Sequence, residues 1–204
     1  MTLDQYRAVA DRLLDPFVDV VDRLGVSPNG VSLIAFGFAV GAGGAFGIAT
    51  ATTYVLGAVC VFWNGWLDLV DGALARERGV SSEGGDLLDH VLDRYADIAM
   101  LIGLAAGSDA YALGFVAVTG VLMTSYLGTQ IQAVGLGREY GGLVGRADRL
   151  ALIGITGVLA AVTTLPTVPT YYLNLSVVGW LLLFFAIVGH LTAIQRFYRA
   201  WSDL

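Results

Sequence analysis

Asp68-Leu69-Val70-Asp71-Gly72-Ala73-Leu74-Ala75-Arg76, then eight residues, then Gly85-Asp86-Leu87-Leu88-Asp89-His90-Val91-Leu92-Asp93 is the stretch whose reading decides the fold of this chain. Charged residues are 14% of the 204-residue sequence, yet this window holds five Asp, two Glu and two Arg. Its aspartates sit inside otherwise apolar runs. A carboxylate at the centre of a membrane helix costs about 3 kcal/mol, so one retained there marks a functional position.

The spacing is helical. Asp68 and Asp71 are three apart and share a helix face, with Ala75 one turn further along it. Asp86, Asp89 and Asp93 step by three and four into a second stripe, which Asp97 extends. Two helices presenting these stripes to each other crowd several carboxylates together, which is unfavourable unless a cation joins them. Hard oxygen donors suit Mg²⁺ or Mn²⁺, and such ions also bind phosphates. Gly72 and Gly85 lack side chains, so a ligand can approach the backbone there. Arg76 offers a planar, fork-shaped phosphate donor at the mouth of the site.

Outside the window the chain is strongly apolar, 56% hydrophobic with a mean hydropathy of +0.72. This predicts an all-α, polytopic membrane protein and excludes an ordinary soluble domain. Residues 2–24 predict an amphipathic interfacial helix. Leu3, Tyr6, Ala10, Leu13, Phe17, Val20 and Leu24 form its apolar stripe, acidic residues cover the other side, and Pro16 can bend it. Gly25 and Ser27-Pro28-Asn29 end that helix and start the next. Six apolar segments follow at about 30–50, 53–75, 84–107, 110–134, 147–165 and 172–196, each near the roughly 20 residues a span requires. The first carries Gly37, Gly41, Gly44 and Gly47, expected to mark a face for close helix contact. Short turns are expected at 107–109 and around Pro166 and Pro169. With no repeat, linker or low-complexity tract, residues 1–204 read as one domain. No cleavable signal is expected, because the N-terminus is charged where an apolar run would stand.

All eleven basic residues are Arg, and the net charge is −6. Arg7, Arg12 and Arg23 precede the first span; Arg76 and Arg78 lie between spans two and three; Arg138, Arg146 and Arg149 lie between four and five; Arg196 and Arg199 follow the sixth. The positive-inside rule then places both termini and both Arg-bearing loops in the cytoplasm. Arg94 alone is intramembrane, expected to pair with Asp93 or Asp97. Asp68 and Asp93 each lie about 12 Å below the cytoplasmic helix ends at 1.5 Å per residue, so the motif aspartates match in depth. Absent Lys and abundant Asp fit a GC-rich genome, a halophilic archaeon or a bacterium, and leave the lipid chains open between archaeol and diacylglycerol.

The pattern D-x-x-D-G-x-x-A-R, eight residues, G-x-x-x-D-x-x-x-D resembles the signature of the CDP-alcohol phosphotransferase (CDP-alcohol phosphatidyltransferase) family. Asp68, Asp71, Gly72, Ala75, Arg76, Gly85, Asp89 and Asp93 match its fixed positions. The resemblance implies metal binding by Asp68, Asp71 and Asp89, a general base in Asp93, and a nucleotide surface of Asp68, Asp71, Gly72, Ala75, Arg76 and Gly85. It implies transfer of a phospholipid group from a CDP-lipid to a small polar alcohol with release of CMP, in a homodimeric, multi-pass protein of the cell membrane. No nucleic-acid partner is expected.

The acceptor stays open. An Arg cluster of Arg138, Arg146 and Arg149 suits a phosphorylated alcohol, either inositol phosphate or glycerol 3-phosphate, and suits serine less. Arg-x-x-Arg-Leu at 146–150 is similar to what inositol-phosphate-using members carry; plain topology and headgroup contact is the competing explanation. Asp86 is a further candidate contact for metal or nucleotide, and Asn64, one turn before Asp68, for the nucleotide. His90 is expected to be a helix hydrogen-bond partner; His190, Trp63, Trp66 and the lone Cys60 read as packing residues. Two other activities compete: a membrane prenyltransferase acting on a prenyl diphosphate, whose Asn-Asp-x-x-Asp motif differs from this one, and a cation transporter, which needs polar groups through to the far side.

Overall fold

A computed structural model describes residues 7–80, 82–137, 144–164 and 175–204, and every described element of length is helical. The helices are α1 (Arg7–Arg23), α2 (Pro28–Ile48), α3 (Ala51–Glu77), α4 (Glu83–Gly107), α5 (Tyr111–Ala133), α6 (Arg146–Thr163) and α7 (Val177–Asp203). Their starts follow from local chemistry. The Ser27 hydroxyl accepts from the Gly30 N–H ahead of Pro28, Ser82 accepts from Gly85, and Ser176 accepts from Gly179, each at 3.1 Å. Thr50 and Thr53 form a reciprocal capping box at the start of α3. Gly25, with φ +69°, takes the left-handed turn that ends α1.

Four helices, α2, α3, α5 and α7, are long and apolar enough to cross a membrane. The other two long segments coincide with expected spans, but α4 carries Asp93, Arg94 and Asp97 and α6 carries Arg146, Asp148 and Arg149. Their apolar character is broken by the residues of the site itself. Large apolar side chains such as Leu33, Val55, Phe62, Ile102, Phe115, Ile155 and Leu191 face outward. That outward apolar surface is the mark of a protein that sits in lipid. The last helix runs to Asp203 rather than ending near 196, because the aromatic residues Phe197, Tyr198 and Trp201 continue it beyond the apolar run. Pro166 and Pro169 lie outside the described residues.

The bundle is organised around α2, which packs on both α3 and α4; α6 packs on the other side of α3, and α5 pairs with α7. Small residues allow this. Ala35, Ala39 and Ala42 form the buried face of α2, and Gly43 meets the α4 backbone so closely that a Cβ on Gly103 would collide with it. The expected contact stripe is therefore displaced. Gly37, Gly41, Gly44 and Gly47 all face outward, and the alanine-rich face one position round the helix makes the contact. The Phe46 ring, fully buried, lies over Gly57 of α3 and Gly157 of α6, which have no side chain to obstruct it.

Helix α1 also differs from the two-sided reading. Among its described side chains Leu14 and Val18 are buried, packed with Val31 of α2 and Val70 and Leu74 of α3. The expected stripe of Leu13, Phe17, Val20 and Leu24 is exposed beside them; Leu3, Tyr6 and the side chain of Ala10 lie outside what is described. The helix thus has two apolar faces, one for the bundle and one turned outward. Arg78, past the end of α3, pairs with Asp22 at 2.7 Å and donates to the Val26 carbonyl at 3.0 Å, clamping the α1–α2 turn against the α3 end.

Candidate functional site

The two aspartate stripes do meet, but not by direct helix contact. α3 and α4 are not closely packed on one another; each is held against α2, which sets them apart as the two walls of a cleft. Carboxylate oxygens of Asp68, Asp71 and Asp89 converge there within 4.8 Å of one another. That spacing is what a single hard cation requires, since metal–oxygen bonds of about 2.0–2.6 Å put opposite ligands roughly 4–5 Å apart. The donor set is all oxygen, as Mg²⁺ or Mn²⁺ prefers. Behind it, Ser32 of α2 donates its hydroxyl to Asp71 Oδ2 at 2.6 Å in a buried contact. Outer hydrogen bonds of this kind fix the orientation of a metal-binding carboxylate.

Asp93 lies one turn beyond Asp89 and is held from α6. Arg146 reaches Asp68 Oδ2 with one terminal nitrogen and Asp93 Oδ1 with the other, both at 2.5 Å. Arg94 flanks the pair as expected, 3.5 Å from Asp93 and 3.8 Å from Asp97. Arg149, one turn after Arg146, is buried and donates to Asp97 Oδ2 at 2.9 Å. Of the three arginines read as an acceptor cluster, Arg146 therefore sits on the aspartates, Arg149 is committed to Asp97, and Arg138 lies outside the described residues.

Two cavities flank the aspartate cluster. One, of about 470 Å³, is the more polar of the two, with a mixed wall whose lining includes Ser27, Asn29, Ser32, Asp71, Gly72, Ala75, Arg76, Gly85, Asp86 and Asp89. All the expected nucleotide residues except Asp68 face it, and Asp86 joins them. A Cβ at Gly72 would meet only the Arg76 tip, and one at Gly85 only the Ser82 and Asn29 side chains, so both glycines keep the wall low without helix crowding. The other, of about 750 Å³, is an almost wholly apolar groove between α3 and α6, running from Val55 and Leu159 to Asp68 and Arg146.

Asn64 belongs to neither. It is 2% exposed and donates to the Ala35 carbonyl at 2.9 Å, so it ties α3 to α2 and faces a water-sized chamber beneath Asp68 and Asp93 instead of the nucleotide-sized cavity. His90 Nδ1 lies 2.7 Å from the Asp86 carbonyl oxygen one turn back, the helix partnership expected of it. His190 bridges α7 to the Val116 carbonyl of α5 at 3.2 Å. Trp66 packs on Phe17 and Phe62, and Trp63 on Phe38 and Phe62. Ser32 was missed by sequence reasoning. Its only signal was a hydroxyl five residues past a helix cap, in a span without charge. Arg196, which donates to the Thr124 carbonyl at 2.6 Å, was read only as a topology marker.

Comparison with known proteins gives one answer. Residues 25–192 match the family model for CDP-alcohol phosphatidyltransferase. The archaetidylinositol phosphate synthase of Methanothermobacter thermautotrophicus is 30% identical over 99% of this chain and 95% of its own length. The phosphatidylinositol phosphate synthase of Mycobacterium tuberculosis is 31% identical over 97% of this chain and 89% of its own. A crystal structure of that mycobacterial enzyme with CDP-DAG bound superposes with a TM-score of 0.77 at 27% identity, covering 93% of this chain and 94% of the other. A second, in complex with manganese and citrate, also gives 0.77 at 26% identity over 92% and 88%. A cleft of four aspartates between polar cavity and apolar groove, carried on a matching sequence and fold, makes this chain a member of the CDP-alcohol phosphatidyltransferase family.

Proposed function

We propose that this protein is a phospholipid synthase that moves a phosphatidyl or archaetidyl group from a CDP-lipid to inositol phosphate, releasing CMP. Family membership removes prenyl transfer and ion transport as readings. The observation that carries the proposal is that two unlike cavities reach one carboxylate cluster, the apolar groove at Asp68 and the more polar cavity at Asp71 and Asp89. A CDP-lipid is polar at one end, apolar at the other and has a diphosphate between, and each part meets matching chemistry here.

The polar cavity takes the cytidine and ribose over Gly72 and Gly85, with Arg76 beside the phosphates. The apolar groove takes a lipid chain and admits it sideways from the bilayer. A divalent cation held by Asp68, Asp71 and Asp89 supplies neutralisation of the diphosphate and polarisation of the phosphorus under attack. Ser32 keeps Asp71 turned toward that cluster. Asp93 takes the proton of the acceptor hydroxyl as its oxygen attacks the lipid-side phosphorus, whose bond to the CMP oxygen breaks. Arg146 stands beside Asp93, where the acceptor's own phosphate arrives; Arg138, outside the described residues, is a further candidate for that phosphate. The names of the two inositol phosphate synthases similar to this chain support inositol phosphate over glycerol 3-phosphate.

The same reading covers the architecture: one domain over 1–204, six spans made by α2 to α7, and α1 lying in the interface with Leu13, Phe17 and Val20 in the lipid. Arginine placement supports cytoplasmic termini and a cytoplasm-facing site, and the family resemblance supports a homodimer.

The test is CMP release by purified protein with Mg²⁺ or Mn²⁺ and either CDP-archaeol or CDP-diacylglycerol. Inositol phosphate, glycerol 3-phosphate, inositol and serine are supplied one at a time. Release with inositol phosphate alone is the expected result. Release only with an unphosphorylated alcohol overturns the acceptor assignment, and no release with any of them overturns the reaction.

A further inference from the structure

Arg146 is in an unusual position for a residue that would greet a soluble substrate. Its guanidinium is inside the site, its side chain only 18% accessible, and it joins two carboxylates of different role: Asp68, one of the three converging oxygen donors, and Asp93, one helix turn beyond Asp89. The oxygen it holds on Asp68 is Oδ2, and Asp68 is also the residue at which the apolar groove touches the carboxylate cluster. Arg94, the other nearby cation, stands off at 3.5 Å from Asp93 and contacts neither Asp68, Asp71 nor Asp89 among the described ion pairs.

A guanidinium and a divalent ion want the same thing from Asp68, an ionised oxygen with its lone pairs free. They also repel each other across a short distance in a poorly screened cleft. We infer that Arg146 is a resident counter-cation of this cluster, a positioning residue that competes with the divalent metal for Asp68 and retains Asp93 when the metal takes Asp68 over. Its fork geometry suits this exchange, because the two terminal nitrogens serve the two carboxylates separately. One edge can let go while the other keeps Asp93 oriented.

The inference rests on the metal assignment above, and the experiment separates the two. Mn²⁺ binding to purified protein in detergent is measured by the loss of the free-ion EPR signal, alongside the Mn²⁺-induced rise in unfolding temperature. Wild-type protein that binds no Mn²⁺ refutes the metal assignment itself. Given binding, Arg146→Gln is expected to bind Mn²⁺ about tenfold more tightly than wild type, while its metal-free form unfolds at lower temperature. Its turnover is expected to fall, since Asp93 loses its holder. General damage to the site would instead weaken Mn²⁺ binding, so the sign of the change is decisive. Arg146→Lys keeps the charge and most of the volume but cannot bridge both carboxylates, and should tighten Mn²⁺ binding by a smaller factor, a few-fold. It also serves if Arg146→Gln does not survive purification. Unchanged or weaker Mn²⁺ binding in whichever variant is measured overturns the inference.

Discussion

The hydroxyl of Ser32 donates to Asp71 Oδ2 at 2.6 Å, joining the aspartate-bearing face of α3 to a helix that carries no charged residue. The bond is buried and spans 39 residues of sequence. Outer contacts to metal-binding side chains are commonly worth about 10–100-fold in metal affinity or activity. Ser32→Ala should therefore raise the Mg²⁺ or Mn²⁺ concentration needed for half-maximal CMP release by roughly tenfold or more, with little change in saturating-metal stability. A metal titration of the two proteins checks this, and coincident curves would detach Ser32 from the site.

Asp71→Ala removes a donor from the cluster itself. The variant should lose metal-dependent binding of the CDP-lipid. Donor binding measured with and without Mg²⁺ is the check, and an intact Mg²⁺ dependence would refute the ligand role.

Asp93→Asn keeps the shape of the side chain and removes its capacity to accept a proton. General-base catalysis contributes about 10²–10⁴-fold, so turnover should drop by at least that range while CDP-lipid binding persists. Single-turnover CMP release together with donor binding distinguishes this from a collapsed site; normal turnover would remove Asp93 from the mechanism.

The buried pair of Arg149 and Asp97, at 2.9 Å, is expected to behave as a structural unit. Asp97→Ala strands Arg149 inside the bundle and should cost about 3–5 kcal/mol of stability, the usual penalty for breaking a buried pair. Replacing both, as Asp97→Leu with Arg149→Leu, should recover most of it. Thermal unfolding in detergent reads both outcomes, and a double variant as unstable as the single one would show that Arg149 has other indispensable partners.

Gly103→Leu tests the α2–α4 contact on which the cleft depends. Even a Cβ there would run into the Gly43 backbone, so the helices must part, and overpacking costs about 1–3 kcal/mol or more. The unfolding temperature should fall and activity with it. Gly37→Leu, on the outward face of the same α2, should be tolerated in both assays.

The carboxylates were legible in the sequence because their spacing is local. Steps of three and four put Asp68 with Asp71 and Asp89 with Asp93 on helix faces, and a membrane-grade background made each one conspicuous. What the sequence could not convey was the third body in each arrangement. It implied that α3 and α4 face each other directly, but α2 lies against both and separates them. It grouped Arg138, Arg146 and Arg149 by proximity in the chain, whereas helix geometry sends Arg146 to Asp68 and Arg149 to Asp97. The glycines of α2 misled because a stripe of small residues looks alike from either side of a helix; Ala39, Ala42 and Gly43 carry the contact. Helix α1 was read as two-faced since its acidic and apolar residues alternate cleanly. Leu14 and Val18, each one residue after Leu13 and Phe17, declared a second apolar face only once α3 was in place. Four of the expected spans also stand on hydropathy alone, while α4 and α6 fall short because they carry the charges of the site.

The groove between α3 and α6 has a thermodynamic consequence of its own. From Val55 to Asp68 it follows about 20 Å of helix at 1.5 Å per residue, nearly all of it hydrocarbon wall. A chain that leaves the bilayer for this groove exchanges one oily medium for another, so the partition is close to isoenergetic. Length, branching and saturation of the tail then count for little, and discrimination falls to the headgroup end, where water and charge give interactions something to compete against. An enzyme built this way would tolerate a membrane whose lipids change with growth conditions, because its selectivity would reside at the headgroup end.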